Sequence, residues 1–197
     1  MTRFDAQGRV DATLMSNLRI MRRTLINQIS KRCDKSKETI TSVVHSLLSR
    51  SIFIKYLEER KDSNGETVFP QGFYSNFLES AKQYTDVLNS KEATYSLFRT
   101  LKEKFNGDTL QVSEVEIEII TQNDLDELRT FILGDSELES KQLALWPFYS
   151  FDIIPIQLIS SIYELFFHLS DEDDEKGTYY TPLHLVNLVM DEVYPWE

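Results

Sequence analysis

A surface helix needs one apolar stripe, and residues 37–60 carry more than one. Ile40, Val43, Val44, Leu47, Leu48 and Ile52 recur at helical spacing, and Phe53, Ile54, Tyr56 and Leu57 add apolar side chains on other faces. A helix of this kind is stable only where neighbours cover it, so it belongs at the centre of its domain. The neighbours should also be helices, because only six Gly and five Pro interrupt 197 residues. His45, inside this run, has no carboxylate or nucleophile pattern around it and reads as a core or boundary histidine rather than a catalytic base.

Upstream, Val10, Leu14, Leu18, Met21, Leu25 and Ile29 fall three or four apart and predict one amphipathic helix over 10–29. Arg19, Arg22, Arg23, Lys31 and Arg32 decorate it. A polar break over 33–36 separates it from the central helix. Downstream, Asp62-Ser63-Asn64-Gly65 is a turn signal, and Thr67-Val68-Phe69 reads as a short extended piece stopped by Pro70. Phe73, Phe77, Leu78 and Ala81 predict a third helix. Thr94, Leu97, Phe98, Leu101 and Phe105 predict a fourth, closed by Asn106-Gly107. Residues 110–120 read as loop or short strand: Val115, Ile117 and Ile119 alternate with Glu116 and Glu118, which is a strand pattern. Asn123 or Asp124 caps a fifth helix carrying Leu125, Leu128, Phe131 and Ile132 and ended by Gly134. Asp152 caps a sixth over 155–169, with Ile156, Ile159, Ile162, Tyr163 and Phe166 on its buried face. The expected fold class is mainly α: a multi-helix domain over 1–170 with at most a short strand pair.

Net charge is −11, divided unevenly: residues 1–60 carry +6 and residues 61–197 carry −17. An acidic majority repels phosphate, so any contact with DNA should come from the basic front, through Arg19, Arg22, Arg23 and Arg32. One cysteine, Cys33, excludes an internal disulfide and a zinc site built on several cysteines. No apolar run reaches membrane-spanning length and the N-terminus has no signal-peptide apolar region, so no membrane role and a cytoplasmic location are expected. No metal-ligand spacing, Ser-His-Asp arrangement or phosphate loop is present.

Asp171-Glu172-Asp173-Asp174-Glu175 is a run of like charges that resists burial, and it leads into Lys176-Gly177-Thr178-Tyr179-Tyr180-Thr181-Pro182. Thr181 is suited to an N-cap and Pro182 to the first helical position, and Leu185, Val186, Val189 and Val193 recur behind them before Pro195 ends the run. Gly177 supplies a residue able to take positive φ. Two tyrosines therefore stand directly before the positive end of a helix. That geometry suits either a packed, capped helix or a small ligand carrying a carboxylate and flat groups.

Gly-x-Tyr-Tyr-Thr-Pro followed by an apolar helix resembles the segment that enters the methyltransferase domain of adenine-specific DNA methyltransferases from restriction–modification systems. The stretch before it, residues 149–164, is similar to the helix that leads into that segment, and residues 47–60 resemble the family's N-terminal helical region. The likeness is strongest over 145–191. The family continues with an acidic–Pro–Ala–Cys–Gly-type loop that holds S-adenosylmethionine and an Asn-Pro-Pro-Tyr-type motif that grips adenine. This sequence has neither, and stops at Glu197 where the first strand of a Rossmann-like core would begin.

The resemblance thus implies the helical front part of a type I modification subunit or of a fused restriction–methylation enzyme. Residues 171–197 would be the acidic loop, the motif and the first helix of the methyltransferase domain. Thr178, Tyr179, Tyr180, Thr181 and Pro182 would line one edge of the S-adenosylmethionine site. The parent enzyme would methylate a flipped-out adenine, while this chain alone would be inactive. Its implied partners are DNA, the methyltransferase core, and a restriction or specificity subunit. A second reading stays open: a stand-alone acidic helical module that binds another protein and carries no chemistry.

Overall fold

The computed structural model describes residues 6–61, 64–105 and 110–134, with side chains of the first helix from Leu14 onward. Helix α2 (Lys37–Glu59) is the centre of this region. Every residue from Leu47 to Ile52 is buried, a run longer than one helical turn, so the helix is covered around its whole circumference there. Its neighbours are α1 (Ala6–Ser30), α3 (Tyr84–Val87) and α5 (Glu114–Ile119). Ser36 starts α2 by accepting the Thr39 N–H at 3.2 Å, which satisfies one of the orphan donors of the first turn. Truncating a side chain such as Leu47, fully buried, to Ala should cost about 2–5 kcal/mol.

Helix α1 shows the one-sided burial that its stripe predicts. Leu14, Leu18, Met21, Leu25 and Ile29 are buried, mainly against α2. Helix α4 (Lys91–Phe105) buries Thr94, Leu97, Phe98 and Leu101, while Phe105 is 36 % exposed and meets Phe53 edge-on. Helix α6 (Gln122–Leu133) packs on α1 and α3 through an inner face that includes Leu125, Leu128, Phe131 and Ile132. Gly134 ends it at φ 79°, a backbone region open to glycine but costly for most other residues. The residue at the N-cap of α6 is Thr121, not Asn123 or Asp124. Asp124 is instead the third helical residue, which closes a capping box by reaching back to the Thr121 N–H and hydroxyl, each at 2.7 Å.

Two further expectations are corrected. Residues 73–81 do not form a helix; they make a single 3₁₀ turn, Phe73–Asn76, entered through Gly72 at φ 77°. Ser75 and Asn76 donate their side chains to the Gly72 and Phe73 carbonyls, and such local bonds compete with helix continuation. The apolar residues there gather into a ring cluster, with Phe73 stacked on Phe69 at 4.7 Å and edge-on to Phe77 at 5.4 Å. Residues 114–119, whose alternation predicts a strand, form helix α5. Ser113 caps it by accepting the Glu116 N–H at 3.1 Å. Burial breaks the alternation in its first turn: Glu116 is 1 % exposed while Val115 is 37 % exposed. Among the described residues there is no strand; Thr67 makes an isolated antiparallel bridge with Lys61. No helix there is long and apolar enough to cross a membrane. The expected helices at 155–169 and 183–193 lie outside the described residues.

Candidate nucleic-acid interface

The four arginines expected to meet phosphate do not share one environment. With Leu14, Leu18, Met21 and Leu25 facing inward, helical geometry puts Arg19 and Arg23 on the opposite face, one turn apart, and both are exposed. Like charges at that spacing disfavour an isolated helix by about 0.2–0.5 kcal/mol. Arg22 lies at the flank, half-buried, and its Nε donates to His45 Nε2 at 2.5 Å across the α1–α2 contact. An imidazole that accepts at Nε2 is neutral. Burial, and then the Arg22 charge, lower the His45 pKa from 6.5 to about 4. Burial also lowers the Arg22 pKa. His45 is thus a boundary histidine in an arginine contact.

Arg32 follows the end of α1 and turns toward the fifth and sixth helices. Its Nη2 donates to Asp124 Oδ2 and to the Ile119 carbonyl, the latter at 3.2 Å. Asp124 is 1 % exposed and its Oδ2 also takes the Thr121 N–H and hydroxyl. Arg32 therefore compensates a carboxylate that would otherwise be a buried, expensive charge.

Arg50 and Glu116 are the residues that sequence patterning overlooks. Arg50 is fully buried in the middle of α2. Its Nη1 donates to Glu116 Oε1 at 2.7 Å, and its Nη2 to Glu116 Oε2 at 3.2 Å and to the Gln111 carbonyl at 2.6 Å. Its guanidinium lies 4.5 Å from the centre of the Phe98 ring. The Tyr95 hydroxyl donates to Glu116 Oε1 at 3.3 Å, and burial followed by the Glu116 charge pushes the Tyr95 pKa up. Nearby, the Tyr84 hydroxyl pairs with Ser51 Oγ at 2.8 Å, and burial pushes its pKa up too. The signal in the sequence is an arginine inside a run apolar on all sides; such a residue demands a carboxylate, but no spacing says which one.

Two more cations meet the same segment. Lys35 meets both oxygens of Glu118 at 3.2 and 3.3 Å, and Lys91 donates to the Ile117 carbonyl at 2.7 Å. Thr178, Tyr179, Tyr180, Thr181 and Pro182, assigned to S-adenosylmethionine by resemblance, lie outside the described residues. No family model matches the sequence, and neither a curated protein nor a solved structure matches it.

Proposed function

We propose that this chain is the helical N-terminal region of an adenine-specific DNA methyltransferase, in which α1 supports DNA binding. The observation that carries the reading in the described region is the arginine pair Arg19 and Arg23, exposed on the face of α1 opposite its buried stripe. Exposed guanidinium groups one turn apart suit neighbouring phosphates, whose contacts position a protein on duplex DNA without reading its sequence. Arg22 and Arg32 carry less of that role, because Arg22 is half-buried against His45 and Arg32 is turned onto the buried carboxylate of Asp124. The order of the three sequence segments, 47–60, 149–164 and 177–182, supports the family assignment.

Under the same reading, residues 178–182 form one edge of an S-adenosylmethionine site, and that part rests on the sequence resemblance alone. S-adenosylmethionine is the methyl donor of the parent reaction; no step of that reaction is assigned to the helical residues. The test is a fluorescence-anisotropy titration of duplex DNA over a range of salt. Binding should be weak and steeply salt-dependent, and Arg19→Ala with Arg23→Ala should flatten the log–log salt slope by about two. Binding that ignores both salt and these substitutions would remove the reading. Calorimetric titration of S-adenosylmethionine into this chain should show negligible heat, because a partial site does not recover the ordering cost of ligand and loop.

A further inference from the structure

The turn between α1 and α2 is denser in cations than α1 itself. Lys31, Arg32, Lys35 and the first residue of α2, Lys37, fall within seven residues that hold one acid, Asp34, and all four cations are exposed. Helical rise places the start of the turn about 12 Å along the axis from Arg23, which would extend a track of phosphate contacts beyond the helix. Yet an acidic element lies on this turn. Helix α5 presents Glu118, whose two carboxylate oxygens both face the Lys35 ammonium. One carboxylate with both oxygens on one ammonium engages the charge that a phosphate contact would need.

We propose that the turn at 31–37 is a second DNA-phosphate contact, and that Glu118 on α5 guards it as an autoinhibitory contact. The inference rests on the reading of α1 as a DNA-binding helix. Two features make the guard displaceable. The Lys35 and Glu118 side chains are 39 % and 65 % exposed, and an exposed pair is worth only about 0–1 kcal/mol. A duplex phosphate gains counterion release in addition to the direct attraction. Glu118 can leave without α5 leaving, because α5 stays fastened to α2 by Arg50 and Glu116. Arg32 takes no part, since Asp124 holds it from the buried side.

The experiment is a salt series of duplex-DNA titrations on the full chain. Glu118→Gln should raise affinity about threefold to fourfold in the lower-salt part of the series and steepen the log–log slope by about 0.9, the signature of one added phosphate contact. Adding Lys35→Ala to Glu118→Gln should cancel the gain. Glu103→Gln, which removes an exposed charge on α4, should leave affinity unchanged. The inference is overturned if Glu118→Gln has no effect, if its gain survives loss of Lys35, or if Glu103→Gln produces the same gain. Arg19→Ala with Arg23→Ala separates the two claims. If that pair weakens binding and Glu118→Gln is silent, only the guarded turn falls. If Glu118→Gln strengthens binding and the arginine pair is silent, the turn stands and the role of α1 falls. If no variant binds DNA, both fall.

Discussion

Glu116 and Glu118 stand two residues apart on α5, and each meets a cation from near the start of the chain. The Arg50–Glu116 side chains are 0 % and 2 % exposed, with Gln111, Tyr95 and Phe98 completing the surroundings. The Lys35–Glu118 pair is open to solvent. The chemistry is the same and the consequences are opposite. In water, an ion pair exchanges one good solvation for another and gains little. In the core, removing one partner strands a charge where water cannot reach it. The buried pair fixes the position of α5, and the exposed pair can be exchanged for another ligand.

The largest effect expected from this contrast is on Arg50. Arg50→Ala leaves the Glu116 carboxylate buried without its partner and should cost about 3–5 kcal/mol in urea unfolding. Arg50→Met combined with Glu116→Leu should restore most of that loss, because the desolvation cost disappears with the charges. A loss below about 1 kcal/mol for Arg50→Ala would break the comparison at its stronger end.

Asp124 lies between the extremes, buried itself but paired with a partly exposed arginine. Asp124→Ala removes the return bond of the capping box as well as the ion pair and should cost about 2 kcal/mol. Hydrogen exchange should localise the loss to the first turn of α6.

His45 extends the same rule to a base. Its folded pKa, about 4, lies below the ordinary 6.5, so the unfolded chain takes up the proton first. The stability that depends on neutral His45 is therefore fully present above about pH 6.5 and is lost as pH falls toward 4. Half-burial and solvent screening reduce this to on the order of 1–2 kcal/mol. The difference in urea midpoint between the wild type and His45→Gln, followed from neutral pH into that window, isolates the contribution from general acid unfolding. A difference that stays constant with pH would contradict it.

The smallest effect belongs to the exposed pair. Glu118→Gln should change stability by less than about 1 kcal/mol, and the change should vanish at high salt. Thermal melts at two ionic strengths are sufficient to detect a larger, salt-independent loss, which would mean that Glu118 holds α5 in place.

Long apolar periodicity carried most of the architecture. The stripes of α1, α4 and α6 and the all-round burial of α2 follow from spacing alone, because a helix of three turns or more repeats its pattern enough times to be unambiguous. Six residues do not. Val115, Ile117 and Ile119 spell a strand, but the Ser113 cap and the partner waiting at Arg50 decide for a helix with Glu116 inside, and the partner lies 66 residues away. The aromatic residues at 73–77 were readable as apolar, while their preference for one another over a helix depended on Phe69 and on side-chain bonds to the backbone. For the candidate interface, the four arginines are legible in the sequence, but that Arg32 holds Asp124 is not, because Asp124 approaches only in the folded chain.

The separation among these arginines turns on the partner rather than on exposure: a buried carboxylate makes Arg32 a residue that holds the fold, while Arg19 and Arg23 stand on the outer face of α1. Arg32→Ala tests it most directly, through urea unfolding and a salt series of duplex-DNA titrations on the same preparation. The expected result is a stability loss of about 1.5–3 kcal/mol, the range for a hydrogen bond to a charged group, with the DNA salt slope unchanged. A slope that falls by about one while stability stays intact would make Arg32 a phosphate contact and contradict it.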